Sequence, residues 1–160
     1  MKLTTNNQSP TTKRGFTLIE ILVTIAIIGL LTTLLLSNLQ ETRARARDAR
    51  RKSDLNELRT ALRLYYNDYQ SYPTASSNNE ISCGGLELAW GAAFTCGTTT
   101  YMAELPVDPL SSQSYYYVRG TDTDAFQLYA CLENISDPDA IACGGIMASC
   151  TTGCFKISQE

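Results

Sequence analysis

The sequence predicts an α+β fold: one long N-terminal helix packed on a small antiparallel β-sheet, with loops stapled by disulfides. Three observations predict it. No proline interrupts the chain from Phe16 to Tyr72, and the apolar residues there form first an almost unbroken run and then a helical stripe. The C-terminal part holds short alternating segments separated by turn residues. All six cysteines lie after residue 82, and an even number confined to one part of a chain reads as a disulfide set. The length, 160 residues, suits one domain plus an anchor. The expected division is a leader at 1–15, a transmembrane or filament-core helix at 16–38, an amphipathic spine at 39–72 and a globular head at 73–160.

Residues 1–15 are polar, carry Lys2, Lys13 and Arg14 and hold no acid, so they read as a short cytoplasmic leader. From Phe16 to Leu36 the exceptions to apolar character are Thr17, Glu20, Thr24, Gly29, Thr32 and Thr33. About 20 apolar residues in a helix span the hydrocarbon core of a bilayer. The basic leader favours an N-in, C-out orientation, although the basic cluster at 43–52 then lies outside. Glu20 does not fit a simple anchor. A charge at the centre of a lone membrane helix costs roughly 2.5–3.5 kcal/mol, and a buried carboxylate needs a partner. A cut between Gly15 and Phe16 supplies one: a new α-amino group one helical turn from Glu20, which could pair with the Glu20 of a neighbouring chain packed alongside.

Lys13-Arg14-Gly15-Phe16-Thr17-Leu18-Ile19-Glu20 with the run behind it resembles the class III signal of type IV pilins and type II secretion pseudopilins. The resemblance implies that a prepilin peptidase cuts after Gly15 and N-methylates Phe16, and that Glu20 pairs with the amine of an adjacent subunit during assembly. An ordinary signal-anchor helix is the competing reading.

Beyond the span, Leu55, Leu58, Leu62, Tyr65 and Tyr69 recur at spacings of three and four, widened by Leu64 and Tyr66. That stripe predicts one helix from 16 to about 70, roughly 80 Å long at 1.5 Å per residue, with its second half packed against the head. Arg43, Arg45, Arg47, Arg50, Arg51 and Lys52 cluster where the helix leaves the run. Three readings stay open: anionic lipid headgroups, acids on neighbouring subunits, and a solvated face. Tyr72-Pro73 ends the helix. Residues 74–100 read as a long loop tied by Cys83 and Cys96, with a short helix expected around Leu86–Ala93 and with Trp90 and Phe94 against the spine. Leu105-Pro106-Val107-Asp108-Pro109 with Tyr115-Tyr116-Tyr117-Val118 resembles the segment of major pseudopilins that leads into the first head strand. Strands are expected at 115–119, 125–132 and 155–158, with a turn at 119–122.

Candidate sites are few. Nearest-neighbour pairing joins Cys83 with Cys96, Cys131 with Cys143, and Cys150 with Cys154. A zinc site from Cys143, Cys150 and Cys154 competes, but it lacks a C-x-x-C pair and the chain has no histidine. The resemblance implies a calcium ion in the last loop of the head. The acidic signature of that loop is absent here, and Asp137 and Asp139 are the candidate ligands, against simple turn chemistry. Cofactors are otherwise expected to be none. The absence of histidine removes the commonest general base. A paired-carboxylate site from Glu104 and Asp108 is the remaining way to build an anchored enzyme. Net charge is −3, and the acidic head argues against nucleic acid as a specific partner.

The expected function is structural: a subunit of a type IV pilus-like filament, with a type II secretion pseudopilin as the alternative and an anchored extracytoplasmic enzyme or binding domain as a remote one. Six cysteines and a long loop favour the pilus, whereas Leu-Pro-Val-Asp-Pro favours the pseudopilin. The partners implied are the chain itself, the prepilin peptidase, the inner-membrane assembly platform, minor pilins and the membrane. The location implied is the inner membrane with the head outside, then a cell-surface or periplasmic filament.

Overall fold

Helix α1 runs from Leu18 to Tyr69 in a computed structural model that describes residues 15–159, apart from the side chains of 34–38. The basic leader therefore lies outside the described residues except for Gly15. The chain divides into two units, 1–39 and 40–160. Helix α1 begins in a capping box. The Glu20 amide donates to Thr17 Oγ1 at 3.3 Å and the Thr17 amide donates to Glu20 Oε2 at 3.4 Å, so two donors left unpaired at a helix start are satisfied reciprocally. The helix ends where Gln70 turns left-handed (φ 52°) and its amide donates to Tyr66 O at 2.8 Å, a one-residue C-cap of the kind asparagine and glycine usually supply.

The head, residues 40–160, contains three antiparallel sheets. Strands β1 (Thr74–Ala75), β2 (Ile81–Cys83) and β3 (Leu86–Leu88) form the first, and β4 (Phe94–Cys96) and β5 (Thr99–Met102) the second. The third holds β6 (Tyr116–Arg119), β7 (Phe126–Leu132) and β8 (Gly153–Gln159) in that order. The expected helix at 86–93 is thus not formed: Leu86–Leu88 pairs with Ile81–Cys83 across the left-handed pair Gly84-Gly85, a turn that glycine makes without Cβ strain.

Registers put Tyr117 opposite Leu128 and Leu128 opposite Ile157. Those three, with Phe126 and Ala130, form one face of the third sheet. That face packs with Leu55, Leu58, Ala61, Leu62 and Tyr65 of α1 in the main core. The stripe is narrower than the spacing suggests, because Leu64 is 50% and Tyr69 49% exposed. Phe94 is fully buried and stacks on Tyr65 of α1, where the spine reading places it, whereas Trp90 is half-buried and stands edge-on to Tyr115. The far face of β7 carries Tyr129 and Cys131, which join Met147 and Cys154 in a second, smaller core. The helix end is tied to the sheet by Tyr117 Oη donating to Pro73 O at 2.7 Å and by the Tyr72 amide donating to Thr123 O at 2.8 Å.

Disulfides join Cys83 to Cys96, Cys131 to Cys150 and Cys143 to Cys154. The first is the pairing the sequence suggests. The other two correct it. Ile141 and Cys154 exchange both backbone hydrogen bonds at 2.8 Å, which sets Cys143 beside Cys154 and leaves Cys150 to reach Cys131 on β7. Proximity in sequence is overridden by strand pairing.

Candidate functional site

The first candidate region is the start of α1. Phe16 is 79% exposed. So are large parts of Leu18, Ile19, Ile21, Leu22, Val23, Ile25, Ile27, Ile28, Leu30 and Leu31. These successive positions cover every side of the helix, and a helix apolar all round belongs in a membrane or in a packed bundle. Its hydroxyls do not spoil that surface. Thr24 Oγ1 donates to Ile21 O, Thr32 Oγ1 to Ile28 O and Thr33 Oγ1 to Leu30 O, at 2.7–2.8 Å, so each hydroxyl proton is satisfied within the helix. Among the described residues no helix is long and apolar enough to cross a membrane; the side chains of 34–38, of which Leu34, Leu35 and Leu36 continue the apolar run in the sequence, lie outside them. Gly15 and Phe16 precede the helix in open backbone. Glu20 caps its own helix through Oε2, a use the sequence reading missed although Thr17-x-x-Glu20 spells a capping box.

The second region is the basic cluster. Arg51 is fully buried. Its Nε and Nη2 donate to the two carboxylate oxygens of Asp108 at 2.8 Å. Its Nη1 donates to Asp48 Oδ1 and to Glu133 Oε1, also at 2.8 Å. Arg47 grips Glu133 with two further bonds of 2.6–2.7 Å. Asp48 in turn accepts the amides of Glu133 and Asn134. One guanidinium thus ties α1 to the Leu105–Pro109 turn and to the end of β7. Burial opposes ionisation of Arg51, but the hydrogen bonds it donates to Asp108 and Glu133 overcome that and raise its pKa. The bonds from Arg47, then those from Arg51, pull the Glu133 carboxyl down to about 2.

These contacts correct the reading of the cluster as a solvated face or as a set of contacts to neighbouring subunits for three of its six cations only. Arg47, Arg51 and Lys52 are turned onto acids of their own head, while Arg43, Arg45 and Arg50 point outward. The partners Asp108 and Glu133 are 57 and 82 residues from Arg51, so helical spacing carries no signal for them. Only the Asp48–Arg51 pair, three residues apart, was readable locally.

Lys52 Nζ donates to Asp137 Oδ1 at 2.6 Å and to Asp139 Oδ2 at 2.7 Å, so the two calcium candidates share an ammonium. The Asp139 amide donates to Asp137 Oδ1, which is the turn chemistry weighed against a metal. The sulfurs of Cys143, Cys150 and Cys154 lie within 4.8 Å of one another, but each is in a disulfide and none is a thiolate able to hold zinc. Asp108 gives both oxygens to Arg51 and accepts the Leu110 amide, which removes it from any acid–base pair with the exposed Glu104.

Comparisons with known proteins settle the family. Residues 11–36 match the prokaryotic N-terminal methylation motif, and residues 38–134 match the type II secretion system protein G family. The chain is 34% identical to type II secretion system core protein G of Escherichia coli K12 over 116 residues, 72% of this chain and 79% of that protein. It is 44% identical to the core protein G of Klebsiella pneumoniae over 102 residues, 62% of this chain and 71% of that one. A type IV major pilin of Myxococcus xanthus is 36% identical over 59 residues, 37% of this chain and 27% of the pilin. No solved structure matches. These matches favour the pseudopilin alternative over the type IV pilus subunit expected first. This is a pilin-like structural protein, not an enzyme, and the chain belongs to the type II secretion system protein G family.

Proposed function

We propose that the chain is a filament-forming pseudopilin of a type II secretion system, anchored in the inner membrane with its head in the periplasm before assembly. The observation that carries this reading is the match over 38–134 placed directly behind a methylation motif at 11–36. The geometry supports it: an apolar surface on all sides of α1 from Leu18 to Leu31, with hydroxyls bonded inward, suits first a bilayer and then the core of a helical bundle. The prepilin peptidase removes residues 1–15 and methylates Phe16. Copies of the chain then pack through their 16–36 helices, with an inner-membrane assembly platform and minor pilins as further partners. Glu20 neutralises the new amine of Phe16 on an adjacent copy. Its Oε1 is not used by the capping box, so a carboxylate that closes its own helix keeps an oxygen for that amine. Nucleic acid is not a specific partner.

The test is deletion of the gene. Loss of exported proteins without loss of a shearable surface fibre supports the secretion reading. Intact export with loss of such a fibre refutes it in favour of the pilus reading, which the Myxococcus xanthus match and the three disulfides favour.

A further inference from the structure

The resemblance to major pseudopilins implies a calcium ion in the last loop of the head, and Asp137 and Asp139 are the acids nearest that role. Their geometry does not fit calcium. That ion takes six to eight oxygen ligands at roughly 2.3–2.6 Å. Here an oxygen of each carboxylate is already bonded to the Lys52 ammonium, at 2.6 and 2.7 Å, and Asp137 Oδ1 is further engaged by the Asp139 amide at 2.9 Å. A divalent ion between the two acids would face the positive charge of Lys52 at contact distance. The ammonium also stands 5.4 Å from the centroid of the Phe155 ring on β8, a cation–π arrangement. It therefore touches the 137–139 turn and the last strand at once, and it is carried by α1. The match to the protein G family ends at residue 134. The turn, β8 beyond it and two cysteines of the Cys143–Cys154 disulfide all lie past that point.

We infer that the Lys52 ammonium is the tethered cation of this head, holding the 137–139 turn and β8 to α1 in place of a bound divalent ion. A lysine on the helix is present at every ion concentration and has no dissociation equilibrium, so the head folds alike with or without calcium. The inference does not depend on which filament the chain builds. Asp137 agrees with it: the Lys52 hydrogen bond holds its carboxyl below the usual range.

The experiment is thermal unfolding of the full chain in detergent micelles with its disulfides intact, in excess chelator and in millimolar calcium. The wild type is expected to give the same Tm in both. Lys52→Met is expected to lower Tm in chelator by roughly 3–5 °C, the shift that loss of a partly buried pair produces in a domain of this size. Lys52→Arg, which keeps the charge, is expected to retain most of the wild-type value. In a cycle, Asp137→Asn is expected to lower Tm in the wild type and to have little effect in Lys52→Met. A wild-type Tm that falls in chelator or rises with calcium overturns the inference. So does a Lys52→Met protein as stable as the wild type, or additive losses in the cycle.

Discussion

Arg51→Met removes the guanidinium that joins α1 to Asp108 in the Leu105–Pro109 turn and, beside Arg47, to Glu133. It leaves two carboxylates in the interior, with the Asp108 side chain 0% and the Asp48 side chain 2% exposed. Removing one partner of a buried ion pair generally costs about 3–5 kcal/mol. The lower end applies here because both acids keep other donors: Asp108 holds the Leu110 amide at 2.8 Å, and Asp48 holds the amides of Glu133 and Asn134. Glu133 keeps Arg47. We expect a loss of about 3 kcal/mol, a large part of the roughly 5–15 kcal/mol that holds a typical domain. Arg51→Lys keeps the charge but not the two-pronged grip on Asp108, and falls between the two. Urea unfolding of the full chain in micelles reads the loss through Trp90, the sole tryptophan, which stands edge-on to Tyr115 with ring centroids 5.7 Å apart. Asp108→Asn in the Arg51→Met background should recover part of the stability, because it neutralises the stranded charge. A loss under about 1 kcal/mol, or an Asp108→Asn change that deepens the defect, would refute the network as the tie between helix and head.

Three further predictions follow from the same contacts. Glu133, held at about 2 against an ordinary 4.5, contributes stability that is fully present above pH 4.5 and lost as pH falls from there toward 2. With its side chain 26% exposed, about 1–2 kcal/mol is expected. Asp54, whose carboxyl burial pushes up, works in the opposite direction. Acid titration of the urea midpoint should show the decline, and Glu133→Gln should flatten it; an unchanged slope in that variant contradicts the assignment. Glu20→Ala should permit cleavage after Gly15 yet reduce filament yield severely, as scored by shearing and immunoblotting, and a wild-type yield would remove the amine-pairing role. Non-reducing peptide mapping should recover Cys131 linked to Cys150 and Cys143 linked to Cys154, each closing a loop whose constraint is worth about 3 kcal/mol; a Cys150–Cys154 peptide would contradict the Ile141–Cys154 strand bridge.

The long helix was legible because its signals are local: an apolar run, a proline-free stretch, and a stripe at helical spacing. The three strands of the last sheet were legible as short apolar and aromatic segments between turn residues, although β7 is buried on both faces rather than on one. What escaped depends on residues brought together by the fold. The repeat of three and four cannot tell that Leu64 faces water while Leu62 is buried, since the width of the buried stripe is set by how the sheet sits on the helix. Leu86–Leu88 is too short for periodicity to separate helix from strand, and the Gly84-Gly85 turn decided it. The arginine cluster looked like a solvated face because its acids lie in the head, far along the chain. Glu20 is a different case. Its capping partner Thr17 is three residues away and was readable, but the cost of a carboxylate in an apolar run drew the reading toward a partner on another subunit. At Lys52 the cation that meets Asp137 and Asp139 comes from α1, 85 and 87 residues away, so the acids alone carry no signal for it.

The N-terminal mass of the protein isolated from its native membrane, or from sheared filaments, tests the central claim most directly. A chain beginning at N-methylated Phe16 is the expected result, and it would establish processing in front of the apolar run and assembly through it. A chain that retains Met1, or one cut behind the run, would contradict the filament account and make the head an ordinary anchored or secreted domain.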